Sequence, residues 1–312
     1  MNWKSQSILL MALILMTGVS QAQEEASDFP HLKGPYLGQK PPGMTPEIFA
    51  PGFISTEGRE LNSVFTPDGK EFYFSKRMPD GVYSICFTRQ GEKGWTKPER
   101  APFDSEYTDV DMCVSPDGQR LFWGSTRPAN GKPFEECKIW YVIRQKDGWS
   151  EPKFLEGPVN AAERALYPTM TKDGTMYFQS KRPGSFGEAD IYRSRLVDGV
   201  YQEPKNLGPA INSENHEGDV LIAPDESYII VSTRRPHGFG RSDLFVSFKK
   251  KDGSWTPLAN MGEPINSEGT DYCPMLSPDG KYFFYTSTKT GHGDIYWVDA
   301  KIIDRFKPKE IK

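Results

Sequence analysis

LYPTMTKDGTMYFQSKRPGSFGEADIYRSRLVDGVYQEPKNLGPAIN, residues 166–212, sets short apolar runs between Gly, Pro and Asp turns. Its reading is a four-stranded antiparallel unit. Strand a is LYPTM (166–170), followed by a Lys-Asp-Gly turn, and strand b is TMYFQS (175–180). A glycine-rich loop, GSFGEA (184–189), leads to strand c, DIYRSRLV (190–197). Asp198-Gly199 then turns the chain into an outer strand d and a crossover ending in Ile211-Asn212.

The same turn and second strand occur five times: TPDGKEFYFSKR (66–77), SPDGQRLFWGSTR (115–127), TKDGTMYFQSKR (171–182), APDESYIIVSTRR (223–235) and SPDGKYFFYTSTK (277–289). Their aspartates, Asp68, Asp117, Asp173, Asp225 and Asp279, recur at intervals of 49, 56, 52 and 54 residues. Strand c recurs as KIWYVI, DLFVSF and DIYWVD, and crossovers end in FDSE, INSE and INSE (103–106, 211–214, 265–268). A period near fifty built from short strands points to a single all-β propeller of four-stranded blades. The fifth unit stops after strand c near residue 299, whereas residues 45–57 read as a strand d and crossover with nothing before them. The expectation is therefore five blades, the last completed by the N-terminal segment; six blades would need a cryptic repeat.

The SPDG turn, the Ser-x-Arg that ends strand b and the Asp-Ile-Tyr of strand c resemble the PD40, or WD40-like, repeat of TolB-type β-propellers over residues 45–299. That resemblance implies a propeller acting as a periplasmic binding or scaffold module, a peptidase accessory domain or part of a carbohydrate-processing enzyme. TolB itself has six blades and an extra N-terminal domain, which this sequence does not repeat.

The composition narrows the partners. Net charge is −4 from 38 basic and 42 acidic residues, with no basic stripe, so nucleic acid is not expected. Lys4, the apolar ILLMALILM (8–16) and Ser20-Gln21-Ala22 read as a signal peptide cleaved after residue 22. No later stretch is apolar enough to cross a membrane. The mature protein is thus expected outside the cytoplasm, in the periplasm, at the cell surface or in the medium, with 23–44 as a flexible leader and 45–312 as the propeller. Cys86, Cys113, Cys137 and Cys273 show no compact disulfide spacing and read as buried free thiols.

In a propeller the d–a crossovers and b–c loops share one open face, and the Pro-Asp-Gly turns lie on the other. Eight residues before each turn aspartate stand Glu60, Asp109, Ala165, Glu217 and Asp271, and after strand b stand Arg77, Arg127, Arg182, Arg234 and Lys289. Features present in nearly every blade read first as scaffold: Arg–carboxylate pairs joining crossover to loop, and turn aspartates holding the turn. Departures are the better pointers to a ligand site. They are Arg164 and Tyr167 in blade 3, His216 in blade 4, Tyr272, Lys289 and His292 in blade 5, and the doubled acids Asp109 and Asp111 in blade 2.

Two functions fit. The first is a non-catalytic exported module binding a glycan, peptide or envelope protein on its open face. The second is a glycoside hydrolase or polysaccharide lyase drawing two carboxylates from Glu60, Asp109, Asp111, Glu217, Asp219 and Asp271. No GxSxG elbow, HExxH helix or phosphate loop is present. No cofactor is expected, apart from a Ca²⁺ that the acid column could hold in the central channel.

Overall fold

The computed structural model describes residues 32–309 and residue 311, so the signal segment and residues 23–31 lie outside the described residues. Five antiparallel sheets form a five-bladed propeller. The inner strands a are Glu60–Phe65, Asp109–Val114, Arg164–Met170, Glu217–Ile222 and Asp271–Leu276. Strand a of the third blade begins two residues earlier than its apolar run predicts, because Arg164 and Ala165 pair with Lys181 and Ser180.

Every strand b carries three consecutive buried residues: Phe72–Phe74, Leu121–Trp123, Met176–Phe178, Ile229–Val231 and Phe283–Tyr285. Alternation is lost there because neighbouring blades cover both faces of the sheet, so inward and outward side chains alike leave water. The Asp-Gly turns that precede these strands are held by their own aspartates. Asp117 Oδ1 accepts from the Ser115 hydroxyl and, at 3.0 Å, from the Gln119 amide, and Asp279 does the same with Ser277 and Lys281. The residue after the aspartate lies at φ +69, +68, +82, +57 and +69°, which suits Gly in four blades and strains Glu226 in the fourth.

Closure follows the expected route. Glu47 and Ile48 pair antiparallel with Trp297 and Tyr296, so the N-terminal segment is the outer strand of the last blade. Phe49, fully buried, then sits across the seam. Its ring lies 5.2 Å from Phe72 of blade 1, and 5.1 and 5.2 Å from Phe284 and Trp297 of blade 5. The chain beyond strand c forms a 3-10 helix, Ala300–Phe306, whose Ile302 and Ile303 join the core of blades 4 and 5.

The expected leader, 23–44, makes contacts with the ring over its described part. Residues 32–44 are tied to the ring: Trp95 donates from its amide to Leu32 O and from its indole to Gly34 O, both at 2.8 Å. Tyr36 donates to Asp279 at 2.8 Å and meets Phe65 and Tyr282 edge-on. Apolar residues in this Pro/Gly-rich stretch, Tyr36 and Leu37, found a buried seam to fill, which composition alone does not reveal.

Phe49→Ala should lower the unfolding free energy by about 3–5 kcal/mol in a denaturant titration, as expected for a fully buried ring. A loss under 1 kcal/mol would show that the seam holds without it.

Candidate functional site

The crossovers explain where most of the acids go. In each, a dipeptide joins two blades. Its first residue clamps strand c of the outgoing blade: Asn160, Asn212 and Asn266 each accept from the amide of Ile139, Ile191 or Leu244 at 2.8 Å and return a hydrogen bond to the same residue's carbonyl. Its second residue reaches the acid that opens the next strand a. Ser105 donates from Oγ to Asp109 at 2.6 Å, Ser213 to Glu217 at 2.7 Å, Ser267 to Asp271 at 2.9 Å, and Thr56 to Glu60 at 2.7 Å. Each acid also accepts that residue's amide. Glu60, Asp109, Glu217 and Asp271 are fully buried and serve as joints. Burial holds the carboxyls of Glu217 and Asp271 above their usual range. In blade 3 both partners vanish together: Ala161 replaces the hydroxyl and Ala165 the acid, so neither is left without the other.

The expected basic column splits in two. Arg127 donates to Asp109 at 2.6 Å and to Phe103 O at 2.9 Å, stacked over Trp123 and Trp140. Arg182 holds Pro158 O and lies over Phe178 and Tyr192, and Lys289 Nζ stands 3.8 Å from the Tyr296 ring centre. In blade 4 this role belongs to Arg235, which reaches Glu217 at 3.3 Å, and not to Arg234. In blade 1 Lys76, directly opposite Glu60, makes the ion pair at 3.0 Å in place of Arg77. The cause is the two-residue period of a strand: one step along it reverses the face. Arg77 and Arg234 are equivalent to each other, their amides donating to Arg59 O and His216 O, and both are exposed.

Asp111 and Asp219 are separated from the other acids. Each strand a carries a register shift two residues after its first paired positions. There Asn62, Asp111, Tyr167 and Cys273 take φ of +52 to +59°, a strained geometry that turns the side chain out of the sheet. These residues meet Asp219 across the ring. Tyr167 donates to Pro274 O at 3.2 Å, Asn62 lies 3.5 Å from the Tyr167 hydroxyl, and Asp219 accepts the Cys273 amide at 2.9 Å. Contacts joining blades 1 to 3 and 3 to 5 place this cluster on the central axis. Tyr167, expected to touch a ligand, is instead a buried plug. Burial, then the neighbouring Asp219 charge, pushes Asp111 well above the usual carboxylate range. The four cysteines are free and buried; burial raises Cys86 to about 11 and Cys113 and Cys137 to about 12, leaving them unreactive thiols.

The open-face mouth is built from the residue just before each crossover acid and the residue that ends or just follows strand b. Arg59, Thr108, Arg164, His216 and Thr270 occupy the first position, and Arg77, Thr126, Lys181, Arg234 and Thr288 the second. Arg164 pairs with Glu136 at 3.2 Å. His216 lies 3.2 Å from Gln179 and 3.6 Å from Glu188, and burial, with Arg234 and Arg164 nearby, lowers its pKa. His292 stands apart, 3.5 Å from Asp294. A recess of about 260 Å³ opens between blades 4, 5 and 1, lined by Arg59, Tyr83, Arg234, Arg241 and Tyr272 with Ser242, Thr270 and Thr288. Arg59, Tyr83 and Arg241 are absent from the candidates read off the sequence; the first could have been found as the position preceding each acid. The turn face holds an apolar recess of about 270 Å³ lined by Val64, Met170, Ile222 and Leu276 among others. No group of three or more His, Cys, Asp or Glu that could hold a metal occurs among the described residues.

No protein-family model and no curated protein matches the chain. Among solved structures it is similar to a putative TolB from Agrobacterium tumefaciens, with 18% identity, 74% of this chain and 71% of that one covered, and a TM-score of 0.50. It is also similar to TolB from Acinetobacter baumannii, with 17% identity, 80% and 53% covered, and a TM-score of 0.53. The chain spans about half the length of the latter protein, and the likeness is one of fold.

Two measurements distinguish joint, mouth and axis. Asp109→Ala strands the buried Arg127 guanidinium and should cost about 3–5 kcal/mol, whereas Arg234→Gln should stay within about 0.5 kcal/mol of wild type. Equal losses would erase the distinction. Asp111 supplies the second. A carboxyl raised in the folded state retains a proton that the unfolded chain releases, so stability falls as pH rises from about 4 through the raised value. Asp111→Asn should therefore gain melting temperature relative to wild type as pH climbs toward neutrality, with no gain below about pH 4.

Proposed function

We propose that this chain is an exported, non-catalytic β-propeller that binds a glycan, peptide or envelope protein on its open face. The observation that carries the reading is the fate of the acids. Four of the six carboxylates that could have served catalysis are fully buried and hydrogen-bonded within their own crossovers, out of a substrate's reach. Export rests on the N-terminal Lys4, apolar core and small-x-small site. The open face also presents Phe186 and Phe239, half exposed at equivalent places in the loops of blades 3 and 4. A rigid ring displaying variable loops suits recognition, and among the described residues no helix is long and apolar enough to cross a membrane.

One observation favours a second reading. Asp111 and Asp219 both approach Cys273 on the axis, and the Asp219 charge adds to burial in raising the Asp111 carboxyl, as a neighbouring carboxylate in a hydrolase would. The purified protein, incubated with a broad polysaccharide panel, should release no reducing ends and form no unsaturated uronates, while at least one glycan or peptide binds. Turnover that disappears in Asp111→Asn or Asp219→Asn would replace the binding module with the enzyme.

A further inference from the structure

The recess between blades 4, 5 and 1 collects three guanidinium groups from separate places in the chain. Arg59 ends the closing crossover, Arg234 follows strand b of blade 4, and Arg241 lies in the b–c loop of the same blade. All three are exposed, and among the described residues none forms an ion pair with a carboxylate. No acid lines the recess. This is unusual placement for a chain of net charge −4, in which Arg127, Arg144 and Arg235 each hold an acid. Like charges gathered without a counterion destabilise a fold unless a ligand supplies the missing charge.

The walls of the recess are also shaped. The Tyr83 and Tyr272 hydroxyls stand close enough to Arg59 to raise its pKa. A Cβ on Gly293 would stand 3.1 Å from Arg59 Cγ and 3.3 Å from the Tyr272 hydroxyl, so a glycine keeps room for both side chains. Three aliphatic hydroxyls, Ser242, Thr270 and Thr288, complete the lining beside the two half-buried tyrosines.

We propose that this recess binds an acidic saccharide, its carboxylate held by Arg59, Arg234 and Arg241, its ring set against Tyr83 or Tyr272, and its hydroxyls met by Ser242, Thr270 and Thr288. The proposal rests on the binding reading above and names its ligand. The guanidinium fork matches a carboxylate bidentately, and an aromatic face with nearby hydroxyls suits a sugar better than an extended acidic peptide. About 260 Å³ is small against the roughly 300–1,000 Å³ of drug-sized sites, which limits the recess to about one ring. Further units have somewhere to run: Arg59 also borders a cleft of about 750 Å³ whose wall includes Arg77.

Calorimetric titration at low salt with an oligogalacturonate trimer, its methyl-esterified neutral form, a hexaglutamate peptide and inorganic phosphate tests this. The charged trimer should bind, its affinity falling with salt, and the ester should bind at least tenfold more weakly. Arg59→Gln, Arg234→Gln and Arg241→Gln should each weaken trimer binding roughly tenfold or more, with melting temperatures kept as a check on folding. The proposal is overturned if the trimer does not bind, if trimer and ester bind alike, or if folded arginine variants bind as wild type does. Binding of hexaglutamate or phosphate alone, through the same arginines, would also overturn the saccharide while leaving an open-face binding module intact. Turnover of the panel polysaccharides, or failure of every glycan and peptide to bind, would remove that underlying reading.

Discussion

Everything in this ring hangs on the joint between consecutive blades, a crossover dipeptide that holds one blade with its first residue and the next with its second. Asn212 clamps Ile191 of blade 3 while Ser213 reaches Glu217 of blade 4, and Asn266 and Ser267 repeat the arrangement one blade on. Ring closure uses the same device in altered residues. Ser55 takes the Ile295 amide at 3.2 Å, and Thr56 binds Glu60. The residues that complete the last blade are thus followed at once by those that fasten it to the first. A propeller has few contacts between distant blades, so nearest-neighbour joints of this kind carry most of its integrity.

The joint also accounts for the distribution of charge. Burying a carboxylate is tolerated only when hydrogen bonds replace its water, and the crossover supplies two to each acid. Blade 3, with Ala161 and Ala165, shows the alternative: remove acid and hydroxyl together and nothing is left unsatisfied. Once the acids are committed in this way, the basic residues on the adjacent register are left facing solvent. The mouth gains its positive character from that offset rather than from the overall charge of the chain.

Legibility followed the repeat. The Asp-Gly turns, the apolar triplets of strand b and the missing fifth strand d were all readable, because each follows from local pattern and from counting. The acid column read as scaffold because a feature shared by nearly every blade answers a problem shared by nearly every blade, but of the five expected bases only Arg127 pairs with its crossover acid. What escaped was finer than the repeat. Arg234 and Arg235 differ by one position, and only strand register decides which enters the joint and which faces the recess. Tyr167 and Asp111 looked like exposed departures from the pattern, yet a bulge in strand a turns them onto the axis. Residues 32–44 looked like a loose leader, although Tyr36 and Leu37 fill a seam.

The sequence by itself determined the number of blades, their strand order and the segment that closes them, because turn chemistry and two-residue alternation act over a few neighbouring residues. Only the tertiary structure decided which charged groups are joints, which meet on the axis and which line the open-face recess. Arg59, Arg234 and Arg241 are up to 182 residues apart in the chain, and their convergence depends on ring closure and register, neither of which leaves a local mark.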